Sequence, residues 1–195
     1  MQKFLFGLLI LVSGIVHAQE KPEGLFIHSK APDFKAKDVT GQNVSLKDLR
    51  RKGPVVIIFY RGNWCPYCSK ELSHLQDSLQ LIKDKGASVV AITPETQDGI
   101  IKTAEKTKAQ FPIIYDEDLK IMKGYDVAFK VDDKTVARYK NFDIDLAATN
   151  NQKPDEVYLP VPAVYIVDKE GNITYRYFEP DYKKQVPVRD ILKNL

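Results

Sequence analysis

A continuous apolar run, VVIIFY at residues 55–60, is the feature of the sequence that most restricts its fold. A continuous apolar run is typical of a strand whose side chains are buried on both faces, and such strands lie in the middle of parallel or mixed sheets. The run is followed closely by Cys65 and Cys68, which are the only cysteines of the chain. Apolar residues at helical spacing come next, so the sequence predicts a central strand, a cysteine-bearing turn and a helix in direct succession.

The rest of the chain alternates between predicted strands and helices. Residues 35–44 predict a β-hairpin, and Ser45 predicts the N-cap of a short helix that ends near Arg51. Further strands are predicted at 87–93, 112–116, 163–168 and 173–178, and helices at 72–82, 97–108 and 188–195, with an insertion at 126–158. This order is typical of an α/β fold in which helices flank a mixed sheet.

The first 18 residues predict a secretory signal peptide. A positive charge near Met1 precedes an apolar run, and Val16, His17 and Ala18 supply a cleavage site. The apolar run is shorter than the roughly 20 residues of a membrane-spanning helix, which argues against an uncleaved anchor. We therefore predict a secreted or periplasmic protein with a signal peptide at 1–18, a tail at 19–30 and one domain at 31–195.

The charge of the chain indicates no polyanionic partner. Lysine and arginine number 29 against 26 acidic residues, which gives a formal net charge of +3. The basic side chains are interleaved with acidic ones, so they read as a solvated surface. We expect neither nucleic acid nor, once the signal peptide is removed, a membrane as a partner.

The spacing of the two cysteines indicates chemistry more than structural cross-linking. A disulfide that closes so short a loop adds little stability, although a purely structural bridge remains one alternative. Zinc is a second alternative, but a structural zinc site needs about four ligands, and outside the signal peptide only His28 and His74 could join the cysteines. The pattern favours a redox-active dithiol with no metal and no organic cofactor.

Residues around the cysteines fit the same chemistry. A helix N-terminus favours a thiolate over a thiol, and Pro66 suits the first helical position. Arg61 is a candidate cation near the thiolate, with a surface salt bridge as its alternative. Trp64 is a candidate recognition surface that shields the sulfur, with a rim aromatic as its alternative. Glu95 follows a predicted strand and is interpreted as an acid at the start of a helix, rather than as a proton relay.

Several quoted motifs resemble one family. FYRGNWCPYC after VVII, the upstream APDF and GQNVSL, and the downstream LPVPAVYIVDKEGNI resemble the thioredoxin-fold superfamily, and within it the peroxiredoxin-like (AhpC/TSA-type) branch. The likeness covers residues 31–195. AEKTKAQFPIIYD and FEPDYKKQVPVRDIL are similar to a bacterial subgroup of thioredoxin-dependent peroxidases.

The resemblance implies a thioredoxin-like fold with an N-terminal β-hairpin extension and a peroxidase that cycles between dithiol and disulfide. Its substrates would be hydrogen peroxide and organic hydroperoxides, its reductant would be a thioredoxin-like protein, and a homodimer is compatible with the family. A secreted thiol–disulfide oxidoreductase that acts on protein partners is the alternative. A binding domain with an incidental disulfide is a third reading.

Two positions depart from the peroxiredoxin pattern and leave the roles of the cysteines open. An alignment without gaps places the peroxidatic cysteine at Cys68 and the usual threonine at Cys65. The usual arginine before the strand at 163–168 is replaced by Pro162, where thioredoxins carry a cis-proline against the sulfurs. We therefore expect a cis bond between Val161 and Pro162, and we favour Cys65 as the more accessible nucleophile.

Overall fold

The computed structural model describes residues 21–195, so the predicted signal peptide at 1–18 lies outside the described residues. The strands are β1 (Lys35–Lys37), β2 (Asn43–Ser45), β3 (Val55–Phe59), β4 (Ser88–Thr93), β5 (Ile113–Tyr115), β6 (Ala128–Lys130), β7 (Tyr158–Pro160), β8 (Ala163–Val167) and β9 (Ile173–Phe178). The helices are α1 (Leu46–Lys52), α2 (Pro66–Asp77), α3 (Leu79–Asp84), α4 (Gln97–Thr107), α5 (Lys120–Gly124), α6 (Asp133–Lys140), α7 (Leu146–Thr149) and α8 (Val188–Lys193).

The central sheet has five strands in the order β5-β4-β3-β8-β9. Strands β3, β4 and β5 run parallel, whereas β8 is antiparallel to β3 and β9 is antiparallel to β8. In the middle of the sheet, Ile57 pairs with Val90 on one side and with Tyr165 on the other. Strands β1 and β2 form a separate antiparallel hairpin. The mixed sheet and the N-terminal hairpin confirm the predicted architecture.

Strand β3 is buried on both faces, as its apolar sequence predicts. Val56 and Ile58 belong to a core formed with α2, α3, α4 and α8. Ile57 and Phe59 belong to a second core on the opposite face, formed with α1 and α5. Each fully buried aliphatic side chain contributes about 1.5–3 kcal/mol, so the strand that leads to the cysteines is firmly anchored.

The helix predicted at 72–82 is in fact two helices. Ser78 leaves helical geometry with φ −100° and ψ 3°, and its backbone N–H donates to the carbonyl of His74. Leu75 before the break and Leu79 after it pack in the same core. The bend at Ser78 lets the apolar residues before it and those after it pack against the same face of the sheet.

Ordered chain begins earlier than the predicted start at residue 31. The backbone N–H of Leu25 donates to Tyr165 Oη at 3.1 Å, and that of His28 donates to the carbonyl of Ile173 at 2.8 Å. Lys30 forms an antiparallel bridge with Asn172. Residues 28–30 of the expected tail therefore pair beside the start of β9, an edge strand whose backbone groups would otherwise lack partners.

The insertion at 126–158 folds into a small unit of its own. Strands β6 and β7 pair in an antiparallel ladder, with Phe129 opposite Leu159. Asp132 caps α6 by accepting from the N–H of Thr135 at 2.9 Å. Strand β6 and helix α6 both lie within this segment. Across residues 21–195, no helix combines the length and apolar character that a membrane crossing requires.

Candidate active site

The two cysteines lie at the start of α2. Cys65 is the N-cap residue, Pro66 occupies the first turn, and Cys68 follows within that turn. The cysteines form a disulfide with their Cα atoms 5.3 Å apart. The backbone N–H of Cys68 donates to Cys65 Sγ at 3.3 Å. Both this hydrogen bond and the helix N-terminus stabilise negative charge on the Cys65 sulfur once the disulfide is reduced.

Both cysteines are buried in the disulfide form. Cys65 is 1% exposed and Cys68 is 4% exposed. The expectation that Cys65 is the more accessible residue is therefore wrong. Trp64 covers the turn because it packs against both the main core and the small core of the insertion. The case for Cys65 as the nucleophile now depends on charge stabilisation and not on exposure.

Arg61 lies inside a cluster of aromatic rings, defined here as Trp64, Tyr139 and Tyr182. Its guanidinium carbon is 4.8 Å, 5.5 Å and 4.2 Å from the three ring centroids, respectively. Its Nη2 donates to Tyr139 Oη at 2.6 Å. Arg61 is 4% exposed and forms no ion pair with any residue in the described range. The salt-bridge alternative is therefore wrong, whereas stabilisation of the thiolate by Arg61 stays a prediction.

Trp64 is half-buried and packed against other aromatic rings, and its role in recognition stays a prediction. Its ring meets that of Tyr139 edge to face, with the centroids 5.1 Å apart. Tyr139 belongs to α6, so this contact and the hydrogen bond from Arg61 attach the insertion to the cysteine loop. The structure thereby assigns the insertion a role that its sequence does not reveal, which is to cover the site.

The peptide bond before Pro162 is trans, so the expected cis-proline is wrong. The N–H of Val161 donates to the carbonyl of Val127, and Ala163 pairs with Phe59 at the end of β3. The chain therefore stays extended from β7 into β8, and the ordinary trans bond satisfies both pairings at lower cost. Pro162 still lies at the site, where it lines a cavity of about 120 Å³ together with Arg61.

Glu95 is turned inward and holds the cysteine loop. Its Oε1 accepts from the backbone N–H of Asn63 at 2.6 Å and also from the Asn63 side chain. Its Oε2 accepts from Thr103 Oγ1 at 3.1 Å and from Tyr60 Oη at 3.4 Å. Burial raises the pKa of Glu95, and these hydrogen bonds oppose the rise. Glu95 directly precedes Thr96, the N-cap of α4, but the donors to its carboxylate are Tyr60, Asn63 and Thr103 and not the first backbone N–H groups of that helix. The interpretation as an acid that stabilises the helix start is therefore wrong.

Glu71 is a second buried acid, which the sequence reasoning missed. It is 8% exposed and lies three residues after Cys68 in α2. The backbone N–H of Val186 donates to its Oε1 at 3.3 Å. Burial raises the pKa of Glu71 to about 7, so this group can exchange a proton near neutral pH. The sequence did contain a sign that Glu71 is buried, because Cys68, Glu71 and Leu75 fall on one face of the helix.

Glu71→Gln is expected to flatten the dependence of stability on pH. The pKa of Glu71 rises from 4.5 to about 7 on folding, so the folded state binds this proton more tightly. Stability is therefore lost as pH rises from about 4.5 through 7, by up to about 3 kcal/mol from this group. Urea denaturation at pH 5 and pH 8 measures the change. Glu105→Gln, at an exposed position of α4, is the control, and a Glu71→Gln slope equal to that of the parent contradicts the prediction.

Comparison with known proteins relates this geometry to one family. The AhpC/TSA family profile matches residues 27–176. The thiol-disulfide oxidoreductase ResA of Bacillus cereus is 24% identical over 165 residues, which cover 84% of this chain and 76% of that protein. The chloroplastic peroxiredoxin Q of Sedum lineare is 30% identical over 156 residues, which cover 78% of this chain and 70% of that protein.

A solved structure agrees with the fold. The crystal structure of peroxidoxin BcpB from Mycobacterium tuberculosis superposes with a TM-score of 0.67 at 18% identity, covering 86% of this chain and 94% of that chain. At this identity the likeness concerns the fold alone. It confirms the thioredoxin-like α/β architecture expected from the motifs.

Proposed function

The chain belongs to the AhpC/TSA family, and from this premise we propose that it is a thiol-dependent peroxidase. As a thiol-based oxidoreductase with a C-x-x-C pair, it would reduce hydrogen peroxide and organic hydroperoxides, and a thioredoxin-like protein would reset the disulfide. The observation that carries the proposal is that Cys65 and Cys68 are paired yet almost fully buried. A small peroxide reaches such a site more easily than a folded protein does. The predicted signal peptide extends the proposal to a secreted or periplasmic location.

The proposed reaction uses the two sulfurs in turn. The Cys65 thiolate attacks one peroxide oxygen, the O–O bond breaks, and the departing alkoxide takes a proton to become an alcohol. Cys65 is then a sulfenic acid. The Cys68 thiol attacks that sulfur, the disulfide forms, and water leaves. The contact from the Cys68 N–H to Cys65 Sγ supports this order, since it stabilises the attacking thiolate.

A thiol–disulfide oxidoreductase that acts on protein partners is the second candidate. It is favoured by the similarity to ResA, a protein named as a thiol-disulfide oxidoreductase. A C-x-x-C pair at a helix N-terminus suits disulfide exchange as well as peroxide reduction. For this function the unit at 126–158 would have to move away from Trp64, because a partner's disulfide must meet the attacking sulfur directly.

Stopped-flow mixing of the reduced protein separates the two candidates. As a peroxidase, the protein is expected to lose its thiols to hydrogen peroxide with a second-order rate constant above about 10⁴ M⁻¹s⁻¹, the low end of typical enzyme efficiency. The same reduced protein is mixed in parallel with an oxidised model protein disulfide. The Cys65→Ser/Cys68→Ser double variant supplies the background rate for each reagent.

The two rates together decide between the candidates. Fast reaction with peroxide and slow exchange with the protein disulfide supports the peroxidase. The reverse pattern would overturn the peroxidase and support the oxidoreductase. If the reduced protein reacts with both reagents no faster than the double variant does, the result supports a binding domain with a structural disulfide.

A further inference from the structure

The cavity beside Arg61 carries positive charge without an internal counter-charge. Its volume is about 120 Å³, and its lining includes Arg61, Arg138, Tyr139, Pro162 and Tyr182. None of the described residues that line it is acidic. A single water needs about 10–15 Å³ of such a cavity, so the space accommodates a group of several heavy atoms.

Arg61 is only partly satisfied by its surroundings. Its Nη2 has a partner in Tyr139, but Nε and Nη1 find no hydrogen-bond acceptor anywhere in residues 21–195. Burying a guanidinium is costly unless it is paired and hydrogen-bonded. The three aromatic rings offset part of this cost through cation–π attraction. An anion in the adjoining cavity would supply the remaining compensation.

We propose that this cavity binds the carboxylate group of a small organic acid. The planar guanidinium presents N–H groups in pairs that match the two oxygens of a carboxylate. Arg138 adds an exposed second positive charge to the same cavity. Because Nε and Nη1 of Arg61 are buried, the proposal requires the ring of Tyr182, which lies 4.2 Å from the guanidinium carbon, to turn aside before a carboxylate can reach them.

The position of the cavity links this ligand to the redox site. Pro162 in its lining directly precedes Ala163, which pairs with Phe59 at the end of the strand before the cysteine loop. Trp64, the neighbour of Cys65, faces the same guanidinium at 4.8 Å. The acid is therefore part of the substrate, a hydroperoxide that also carries a carboxylate. This last step rests on the proposed function.

The binding site is tested with the oxidised wild-type protein and sodium propionate. Equilibrium dialysis of radiolabelled propionate measures binding directly, and the emission of Trp64, the only tryptophan of the sequence, follows it optically. Saturable binding is expected, whereas the neutral propionamide binds at least about tenfold more weakly. Equal binding of propionamide, displacement by sodium chloride at matched ionic strength, or no saturation would each overturn the site.

Three arginine variants locate the binding. Arg61→Gln is expected to weaken propionate binding at least about tenfold, and Arg138→Gln by a few-fold. The control is Arg189→Gln, whose side chain is 86% exposed on α8, and it should bind like the parent. Unchanged binding in Arg61→Gln would overturn the proposal. If that variant does not fold, Arg138→Gln and the wild-type comparison of propionate with propionamide still decide the matter.

A kinetic arm tests the substrate class separately. Reduced protein is mixed with cumene hydroperoxide and with its ring-carboxylated derivative. The carboxylated compound is expected to react at least about tenfold faster, and saturating propionate should remove this advantage. Fast and equal rates would overturn the substrate class while leaving the peroxidase intact. Slow reaction with both would refute the peroxidase, and the dialysis result would still decide the carboxylate site.

Discussion

Cys65→Ser and Cys68→Ser are each expected to lower steady-state peroxide reduction by at least about a thousandfold, the scale of losing a member of a catalytic unit. Each substitution removes one half of the disulfide that joins the two residues. Without Cys65 the proposed nucleophile is gone, and without Cys68 the sulfenic acid cannot close to a disulfide. A peroxide assay with a thioredoxin-like protein as the reductant measures the loss. Ser73→Ala on the same helix is the control and should retain the parent rate.

The two variants should differ in a single turnover. Cys68→Ser keeps the sulfur that caps α2, so it is expected to form a sulfenic acid that dimedone traps and mass spectrometry detects. Cys65→Ser lacks that sulfur and should give little adduct. The opposite pattern would assign the attack on peroxide to Cys68. If both variants turn over peroxide like the parent, the dithiol mechanism is wrong.

Glu95→Ala is expected to lower the free energy of unfolding by at least about 3 kcal/mol, because three donors lose their buried acceptor. The substitution leaves the N–H of Asn63 and the hydroxyls of Thr103 and Tyr60 without their buried acceptor, and such unmet groups cost about 1–3 kcal/mol each. Urea denaturation measures the loss. Glu105→Ala, at an exposed position of α4, is the control and should change stability by less than about 0.5 kcal/mol.

The same substitution should disturb the cysteine loop. Asn63 lies between Arg61 and Trp64 in the sequence, so the loss of its anchor releases the residues that pack the aromatic cluster. We expect the Trp64 emission to shift and the reaction with peroxide to slow. Glu95→Gln retains an acceptor oxygen for Asn63, so it should change both the Trp64 emission and the reaction with peroxide less than Glu95→Ala does. A Glu95→Ala protein with unchanged stability and unchanged Trp64 emission would contradict the role of Glu95.

Local patterns predicted the elements that carry the site with good accuracy. The apolar run at 55–60 became a strand buried on both faces, and the residues from Pro66 became a helix capped by Cys65. These features follow from side-chain type and spacing, which act over a few neighbouring residues. The motifs likewise identified the α/β thioredoxin-like fold. The break at Ser78 was missed, because it depends on how the helix fits the sheet.

Contacts between residues that are far apart in the sequence could not be predicted from local patterns. Tyr139 lies 78 positions after Arg61, and nothing local indicates that the two side chains meet. Glu95 could have faced solvent, since an acid after a strand usually does, and its inward turn depends on donors from two separate segments, the stretch at 60–63 and helix α4. The geometry of Pro162 was predicted by analogy and was wrong, because the pairings of its neighbours favour a trans bond.

The order of strand, cysteine turn and helix was decided by the sequence alone, because hydrophobic period and helix capping are properties of adjacent residues. Only the tertiary structure decided that the cysteines are covered, that Arg61 lies among aromatic rings and that Glu95 supports the loop. These outcomes depend on which distant segments share one buried volume, where an unpaired charge or polar group is penalised far more than in water.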